Sequence, residues 1–266
     1  MQPASLFLGH GSPMTLFEPS PTRAFLTTLA GRFARPDAIL VVSAHWQAAR
    51  PSLTAAAFPA TIHDFEGFPA ELYRATYPAP GSPALARRVA DLLARQGLAA
   101  DLDHARGLDH GAWIPLGLAW PAAKVPVVQL SLLAGKNASA HMALGRALRP
   151  LARENVLVVG SGNLTHNLGE AIAWMRSGGR GDAAWASEFA GAMGQAVLGG
   201  DDKALAEWET AMPHARRAHP TSEHLLPLHV VHGAGGGAAR LLFDAMEMGS
   251  LSMAAYAFDP VDAAAV

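Results

Sequence analysis

Short apolar runs that do not alternate with polar residues constrain the fold of this chain most. Such runs, rich in Val, Ile and Leu, are typical of strands covered on both faces, as in parallel sheets. The pattern occurs in the segments Ser5–Leu8, Ala38–Ser43, Val125–Leu130, Asn155–Gly160 and Leu251–Phe258. The sequence therefore predicts a sheet that is buried between two other layers.

Helical stretches lie between these runs. Ser82 and Pro83 supply an N-cap and a first-turn proline for a helix over Ala84–Gln96, and Gly97 fits the position just past its end. The alternation predicts an α/β fold, a three-layer sandwich with a central mostly parallel or mixed sheet flanked by helices. No shift in composition marks a second domain, so residues 1–266 are expected to form one domain. Further helices are predicted near Ser139–Leu151, Asp182–Val197 and Asp202–Met212.

The cysteine and charge counts exclude several classes of protein. The chain has no cysteine and twelve histidines. Disulfides, iron–sulfur clusters, Cys-ligated zinc and thiol nucleophiles are thereby excluded, and a metal site must use His, Asp or Glu. Twenty-two acidic and twenty basic residues give a net charge of −2, so we expect no nucleic-acid partner.

The sequence predicts neither a targeting segment nor a membrane span. The segment Met1–His10 has no basic region and only a short apolar run. The longest apolar zone, near residues 116–135, is interrupted by Pro121, Lys124 and Pro126. A span needs about twenty nearly uninterrupted apolar residues. We therefore expect no membrane association and a cytoplasmic location.

Histidines follow three of the predicted strands. His10, His45 and His166 come just after the first, second and fourth apolar runs. The functional crevice of such a sheet lies beyond the carboxyl ends of its strands, so these histidines could share one site. Isolated loop histidines are usually solvated, which leaves a bystander role as the alternative. His110 and His63 precede or lie near apolar segments and could also face the crevice.

The remaining histidines that we considered are predicted to lie outside a site. His104, His141 and His214 have polar or helix-surface surroundings, and we interpret them as bystanders. His229 and His232 are three residues apart on an apolar helical stretch. They are therefore predicted to be packing residues of the core.

Common catalytic motifs are absent. The sequence contains no His-Glu-x-x-His and no Gly-x-Ser-x-Gly. Gly135–Asn137 does not complete a phosphate-binding loop, because Asn follows the lysine. Gly233–Ala238 formally matches a dinucleotide-binding pattern, but it follows a helical run and is predicted to be a flexible loop.

A series of motifs resembles the DODA-type extradiol aromatic ring-opening dioxygenases of the class III extradiol superfamily. The motifs occur in the same order as in that family, and the resemblance covers nearly the whole chain. They are Gly9–Pro13, Ser43–Trp46, Ile62–Phe65, Tyr77–Pro83, Asp109–Trp113, His219–His224 and Glu247–Met253.

The resemblance implies an α/β sandwich that binds one non-haem divalent metal, Fe(II) in catalysis. His10 and His45 match the first two metal ligands of the family. The third ligand is a glutamate in the classical relatives and is expected here to be His224. Glu223 is the alternative, but neighbours on a helix point about 100° apart, so only one of the two is expected to ligate. An all-histidine site also suits Zn(II), which the isolated protein could carry.

His166 and His110 match active-site histidines of the family that do not hold the metal. His166 is expected to be the acid–base residue, and it could also approach the metal as a fourth ligand. His110 is expected to hydrogen-bond oxygen and return a proton as the ring opens. Asp109 is expected either to orient a histidine ring or to be a plain surface residue.

The function implied by the resemblance is cleavage of a catechol ring, such as that of a DOPA-like substrate, with O₂. The product is of the muconic-semialdehyde type, and the partners are a small aromatic diol and O₂. The oligomeric state is left open. Two alternatives remain: a metal-binding interaction protein of the same superfamily without dioxygenase activity, and a zinc hydrolase with Glu223 as its base.

Overall fold

The computed structural model describes residues 3–261 and contains an eight-stranded sheet and a separate two-stranded sheet. The strand order in the large sheet is β4-β3-β5-β2-β6-β1-β10-β7, and β8 pairs with β9. Within the described residues the strands are β1 Ser5–Gly9, β2 Ala38–Ala48, β3 Ser52–Thr54, β4 Asp101–Asp103, β5 Val127–Leu133, β6 Val156–Gly162, β7 Gly236–Phe243, β8 Met246–Glu247, β9 Leu251–Ser252 and β10 Ala255–Pro260.

Helices connect most of these strands. No helix between residues 3 and 261 combines the length and the apolar character that a membrane crossing requires. The α-helices of the described chain are α1 Pro21–Leu29, α2 Pro83–Ala94, α3 His110–Ala119, α4 Ala138–Leu148, α5 Leu168–Arg176, α6 Ala184–Gly199, α7 Asp202–Ala206, α8 Trp208–Ala211, α9 Ala215–Ala218 and α10 Leu226–Gly235. Short 3₁₀ turns occupy Pro13–Leu16, Ala30–Arg32, Leu72–Arg74 and Arg149–Glu154.

The large sheet is mixed. Its central strands β5, β2, β6 and β1 run parallel, whereas β10 is antiparallel to both β1 and β7. At the other edge, β3 is antiparallel to β5 and parallel to β4. The predicted mostly parallel or mixed sheet is therefore confirmed.

Both faces of the central strands are buried. On β2, Ile39 and Val41 pack with apolar residues of α1 and α3 on one face of the sheet. Leu40 and Val42 pack on the opposite face with residues of α2, α4, α6 and α10. This three-layer arrangement explains the absence of polar alternation in the strand sequences.

The predicted caps of α2 are present. Ser82 accepts a hydrogen bond from the backbone N–H of Leu85 at 3.2 Å, and Pro83 is the first helical residue. The helix ends at Ala94, slightly before the predicted end. Gly97 adopts a positive φ of 75°, which a side chain disfavours. The local sequence thus determines both ends of this helix.

The predicted strand over Leu251–Phe258 is wrong, because the segment is divided between two sheets. Its first part is β9, and its second part joins β10, which begins at Ala255. Between them, the backbone N–H of Met253 donates to the carbonyl of Ala245 at 2.8 Å, and the Met253 backbone lies against Gly9. Met253 therefore lies between β9 and β10 and belongs to neither strand.

Two other predictions are also wrong. The helix predicted over Asp202–Met212 is interrupted at Glu207, whose φ and ψ of −102° and 23° are not helical. The loop predicted over Gly233–Ala238 is the end of α10 followed directly by β7. A Cβ atom on Gly237 would lie against the Asp259 carbonyl, so this glycine allows β7 to approach β10 closely.

Several histidines are hydrogen-bonding members of the core. His229 is fully buried, with Nε2 3.0 Å from the Leu205 carbonyl, and His232 contacts Asp202 at 2.6 Å. Their predicted packing role is confirmed. The predicted surface position of His141 is wrong: its side chain is buried, and its Nε2 accepts the Leu133 backbone N–H at 3.0 Å.

The other two predicted bystanders lie at the surface. His104 is exposed, and His214 is exposed beside Glu188, with 2.8 Å between Nε2 and the carboxylate. Neither residue lines the large cavity described below. Their prediction as bystanders is confirmed.

Helices α4 and α10 cross with their backbones in close contact. A Cβ atom on Gly145 of α4 would overlap the carbonyl oxygen of Val230, and one on Gly233 of α10 would overlap the carbonyl oxygen of Met142. Glycine is therefore required at this crossing for lack of space.

We predict that Gly145→Ala destabilises the protein by about 1–3 kcal/mol, because the added methyl group forces two packed helices apart. Gly191→Ala in α6 is the matched control. A Cβ atom there meets no atom within 4 Å, so helix propensity makes that change neutral or stabilising by up to about 1 kcal/mol. Urea unfolding monitored by circular dichroism measures both free energies. Equal stability of the two variants would contradict the packing argument.

We also predict that the core histidines make the protein acid-labile. Burial lowers the pKa of His229 to about 4 from an ordinary value of 6.5. Below pH 6.5 the unfolded chain binds a proton at this position that the folded chain does not, so stability falls with pH until about pH 4. Each such group contributes a slope of up to about 1.4 kcal/mol per pH unit. Urea unfolding of His229→Gln at pH 7.5 and pH 5 should show a smaller pH dependence than wild type, whatever the stability of the variant at pH 7.5. An unchanged difference would contradict this assignment.

Candidate metal centre and active site

Five histidines from separate parts of the fold line one cavity of about 770 Å³. His10 directly follows β1, and His166 follows β6 after a short turn. His110 is the first residue of α3, His224 lies in the turn before α10, and His45 lies within β2. The cavity is at the carboxyl ends of the parallel strands, where ligands bind in open α/β sheets.

An irregularity in β2 presents His45 to the cavity. The predicted strand ends at Ser43, but the observed strand continues to Ala48. Its pairing with β5 is regular to Val42 and resumes only at Gln47, so the backbone between them departs from the regular ladder. Ser43 Oγ accepts the His45 backbone N–H at 3.2 Å within this segment. Such irregularities redirect side chains, which accounts for a strand residue that reaches the site.

The rings of His10, His45 and His224 have the spacing of ligands that share one ion. Their centres are 5.1 Å apart for His10 and His45, 5.0 Å for His45 and His224, and 5.5 Å for His10 and His224. The Nε2 atoms of His10 and His45 are 3.1 Å apart. With metal–nitrogen bonds of about 2.0–2.1 Å, imidazoles on one ion have centres roughly 4.5–5.5 Å apart. These residues therefore fit a metal site.

The other two rings fit this geometry less well. The ligand atoms of His10, His45 and His110 all lie within 4.8 Å of one another, whereas those of His224 group with His166 and Glu223, so the distances between ligand atoms favour His110 and the ring spacing favours His224. The ring centre of His110 is 3.9 Å from that of His45, closer than two rings on one ion require. His166 stacks on His224 with centres 3.4 Å apart and planes 5° apart. Parallel stacked rings do not direct their nitrogens to one point.

The outer nitrogens of two of the three rings have polar partners. His10 Nδ1 lies 3.0 Å from Ser161 Oγ, and the Ser161 hydroxyl donates to the Gly111 carbonyl. The serine oxygen therefore accepts from His10 Nδ1–H, which leaves Nε2 with a free lone pair. His224 Nδ1 lies 3.1 Å from Glu223 Oε1. Carboxylates and hydroxyls in these positions commonly orient metal-binding histidines.

Glu223 occupies a different local structure from the one that the sequence predicted. It lies in a turn, because α10 begins only at Leu226, so the argument from helical neighbours does not apply. Its carboxylate accepts hydrogen bonds from Thr221 at 2.8 Å and from the ring of His224. Atoms of His166, Glu223 and His224 all lie within 4.8 Å of one another. The Glu223 carboxylate therefore contacts the Nδ1 edge of the His224 ring.

Burial favours the neutral form of four of the five cavity histidines. Desolvation, followed by the charges of neighbouring histidines, holds the pKa of His10 and of His224 well below the usual value of 6.5. Desolvation and then His110 lower the pKa of His45 to about 3. Desolvation also lowers the pKa of His166, while Glu223 opposes this shift. Neutral imidazole is the form that binds metals and accepts protons.

Asp109 takes neither of the roles predicted for it. Its side chain is fully buried, so the surface alternative is wrong. It caps α3 by accepting the Ala112 backbone N–H at 3.2 Å, and it also accepts a hydrogen bond from Gln129. Burial raises the pKa of its carboxyl group. Asp109 thus stabilises the first turn of α3.

The sequence analysis missed Asp64, the acidic residue in contact with the ring of His110. Asp64 Oδ1 lies 3.0 Å from His110 Nδ1 and accepts the His110 backbone N–H at 2.9 Å. The two residues are 46 positions apart, so no local pattern links them. Proximity in sequence had favoured Asp109, and the tertiary fold decides otherwise.

Apolar side chains form the walls of the cavity, and carboxylates lie near its mouth. Phe65 and Phe68 line it, and α5 contributes Leu168, Ile172 and Met175. The exposed residues Glu18 and Glu66 also border it. His63, considered above for the crevice, is not among the lining residues; its Nε2 lies 2.9 Å from the Ala75 carbonyl. The cavity can therefore hold a flat apolar ring beside the histidines.

Comparisons with known proteins identify the family of this chain. The family model described as "Catalytic LigB subunit of aromatic ring-opening dioxygenase" matches residues 18–259. A protein named 4,5-DOPA dioxygenase extradiol from Beta vulgaris is 41% identical over 260 residues, which cover 96% of each chain. A protein of the same name from Escherichia coli (strain K12) is 40% identical over 265 residues, which cover 94% of this chain and 92% of the relative.

A solved structure shares the fold. The crystal structure of an uncharacterized protein from Escherichia coli K12 superimposes with a TM-score of 0.79 at 35% sequence identity, covering 96% of this chain and 99% of that one. The family model, the full-length relatives and the fold all agree with the resemblance drawn from the motifs. This chain belongs to the LigB family of aromatic ring-opening dioxygenases.

Proposed function

We propose that this chain is a non-haem, Fe(II)-dependent extradiol dioxygenase that opens the ring of a DOPA-like catechol with O₂ to a muconic-semialdehyde-type product. In this proposal residues 1–266 act as one catalytic domain in the cytoplasm. The observation that carries the proposal is the set of five histidines around one cavity. Three of them have the ring spacing of ligands on a single ion. The other two face the remaining space.

His10, His45 and His224 would hold the metal in this proposal, and Glu223 would orient His224. A bound Fe(II) ion would supply the redox chemistry with O₂ and would favour ionisation of the catechol hydroxyls. A site of three neutral imidazoles also suits Zn(II), so the isolated protein could contain zinc without zinc being the working metal.

His166 and His110 would handle the protons of the substrate. Each lines the cavity beside the proposed ligands. His166 would take the proton of one catechol hydroxyl, and His110 would hydrogen-bond oxygen and return a proton as the ring opens. The apolar side chains of Phe65, Phe68 and Ile172 would hold the ring and exclude water.

The residues at the mouth of the cavity favour a substrate that carries an amine. Glu18 and Glu66 border the cavity, and no lysine or arginine is among the described residues that line it. A DOPA-like molecule carries an ammonium group on its side chain, which a carboxylate can pair with. With the catechol among the histidines, this group would extend toward the rim.

Two alternatives give different results in experiments. A metal-binding interaction protein of the same superfamily would bind metal without consuming O₂. A zinc hydrolase would need a free carboxylate base, and the hydrogen bonds that Glu223 accepts from Thr221 and His224 weigh against that role. The dioxygenase proposal alone uses both His110 and His166.

We predict that the protein reconstituted anaerobically with Fe(II) consumes O₂ and forms a yellow product when catechols and air are added. An oxygen electrode and absorbance spectra measure the two events, and elemental analysis confirms the bound iron. The panel should include DOPA, dopamine and a catechol with a carboxylate side chain. Iron-loaded protein that turns over none of them would contradict the proposal. The zinc-loaded protein serves as the redox-inactive control.

We predict different losses from two histidine variants. His45→Ala should abolish tight metal binding, because two ligands remain from the proposed three. His166→Ala should keep the metal and lower kcat by about 10²–10⁴-fold, the usual contribution of a general acid–base group. Metal content after dialysis and steady-state rates with a saturating catechol separate the two effects.

The matched pair His110→Ala and His224→Ala identifies the third ligand. The ring spacing predicts that only His224→Ala loses the metal. Loss of metal from His110→Ala with retention in His224→Ala would contradict the ligand assignment. Loss of metal from His166→Ala would contradict the acid–base assignment.

A further inference from the structure

We propose that Asp64 is a positioning residue that fixes the tautomer and direction of the His110 ring. This inference rests on the proposed function, since it concerns how His110 meets the catechol. Nothing in the sequence near His110 indicates it.

One oxygen of Asp64 contacts His110 twice. Oδ1 accepts the backbone N–H of His110 at 2.9 Å and lies 3.0 Å from its ring Nδ1. His110 is the first residue of α3, so its N–H has no partner within the helix. The backbone contact meets hydrogen-bond geometry, whereas the ring Nδ1 lies at ion-pair distance from the carboxylate without forming a well-aligned hydrogen bond. The backbone bond therefore holds the carboxylate in place, and the ring orients against it.

The other described neighbours of the His110 ring do not supply the carboxylate that would orient it. The side chain of His110 is only 8% exposed, and Phe65 packs edge-on against its ring at 5.7 Å between centres. Asp109, the adjacent carboxylate, is occupied by Gln129, Arg106 and the cap of α3. His45 and His10 pack against the ring and offer no negative charge.

A carboxylate accepts hydrogen bonds only, so Asp64 places the ring hydrogen of His110 on Nδ1. A ring with its hydrogen on Nδ1 presents an unprotonated Nε2, which can accept the proton of the second catechol hydroxyl and return it as the ring opens. When the hydroxyl O–H bond breaks and an N–H bond forms at Nε2, the new positive charge is paired with Asp64. A carboxylate behind a histidine holds the ring orientation and stabilises the positively charged ring in other enzymes.

We expect graded losses from two variants of Asp64 in the iron-loaded protein. Asp64→Asn keeps an acceptor oxygen but loses the charge, and should lower kcat about tenfold. Asp64→Ala removes both and should lower kcat by about 10²–10³-fold. In both, iron content should equal that of wild type, and KM for the catechol should change less than about threefold, because the effect is on the reacting state. Asp37→Asn, at an exposed loop carboxylate, should leave kcat unchanged.

A double-mutant cycle distinguishes positioning of His110 from a general structural role. In a His110→Gln background, Asp64→Asn should cause no further loss of kcat, because the ring on which it acts is gone. Losses that multiply would overturn the proposal. If Asp64→Asn has the kcat of wild type while Asp64→Ala loses kcat and melting temperature together, Asp64 merely caps α3, and the proposal is also overturned.

The tautomer itself provides a test that does not depend on activity. Nitrogen-15 NMR of histidine-labelled, metal-free protein should assign the His110 hydrogen to Nδ1 in wild type and show a shift toward Nε2–H in Asp64→Ala. An unchanged tautomer would overturn the proposal. If wild type does not cleave catechols, the proposed function fails, whereas the NMR result still decides whether Asp64 sets the ring of His110.

Discussion

The site depends on holding five imidazoles in the correct orientation inside one cavity. A neutral imidazole has one N–H donor and one acceptor nitrogen, so the partner of its outer nitrogen decides what the inner nitrogen offers. Burial ensures neutrality for His10, His45 and His224, whose pKa values it lowers. The orientation of each ring must come from a separate contact. Ser161 and Glu223 provide it for two of these rings, because each contacts an Nδ1 atom.

The register of the large sheet places Ser161 beside His10. Strand β6 lies between β1 and β2, and Ser161 is paired with Leu8 on one side and Ser43 on the other. His10 follows β1 by one residue past Gly9, so its ring reaches the serine of the neighbouring strand. A parallel pairing shifted by one residue would turn Ser161 to the other face of the sheet. The burial of both faces of these strands, which fixes the register, therefore also fixes the position of His10 beside Ser161.

Sequence patterns predicted the parts of this protein that depend on local chemistry. The apolar runs located the central strands, and Ser82, Pro83 and Gly97 bounded α2. The edge strands β3 and β4 have three residues each, too few for a periodic signal. Histidines after apolar runs indicated the cavity, but the partners of their rings depend on tertiary distance. Asp64 lies 46 residues from His110, and Asp109 is its neighbour in sequence, yet only Asp64 contacts the ring.

The two histidines outside the proposed ligand set differ in what lies behind them. His110 has Asp64 at its outer nitrogen, so a positive charge formed on its ring is paired directly. His166 instead stacks on His224, and the carboxylate that opposes the lowering of its pKa is Glu223, the same group that contacts His224. A proton on His166 would therefore draw the charge of Glu223 away from His224. Proton acceptance at His166 would therefore be coupled to the orientation of His224, whereas His110 has a carboxylate of its own beside its ring. This asymmetry suits a reaction in which one histidine acts while substrate binds and the other acts once the ring is in place.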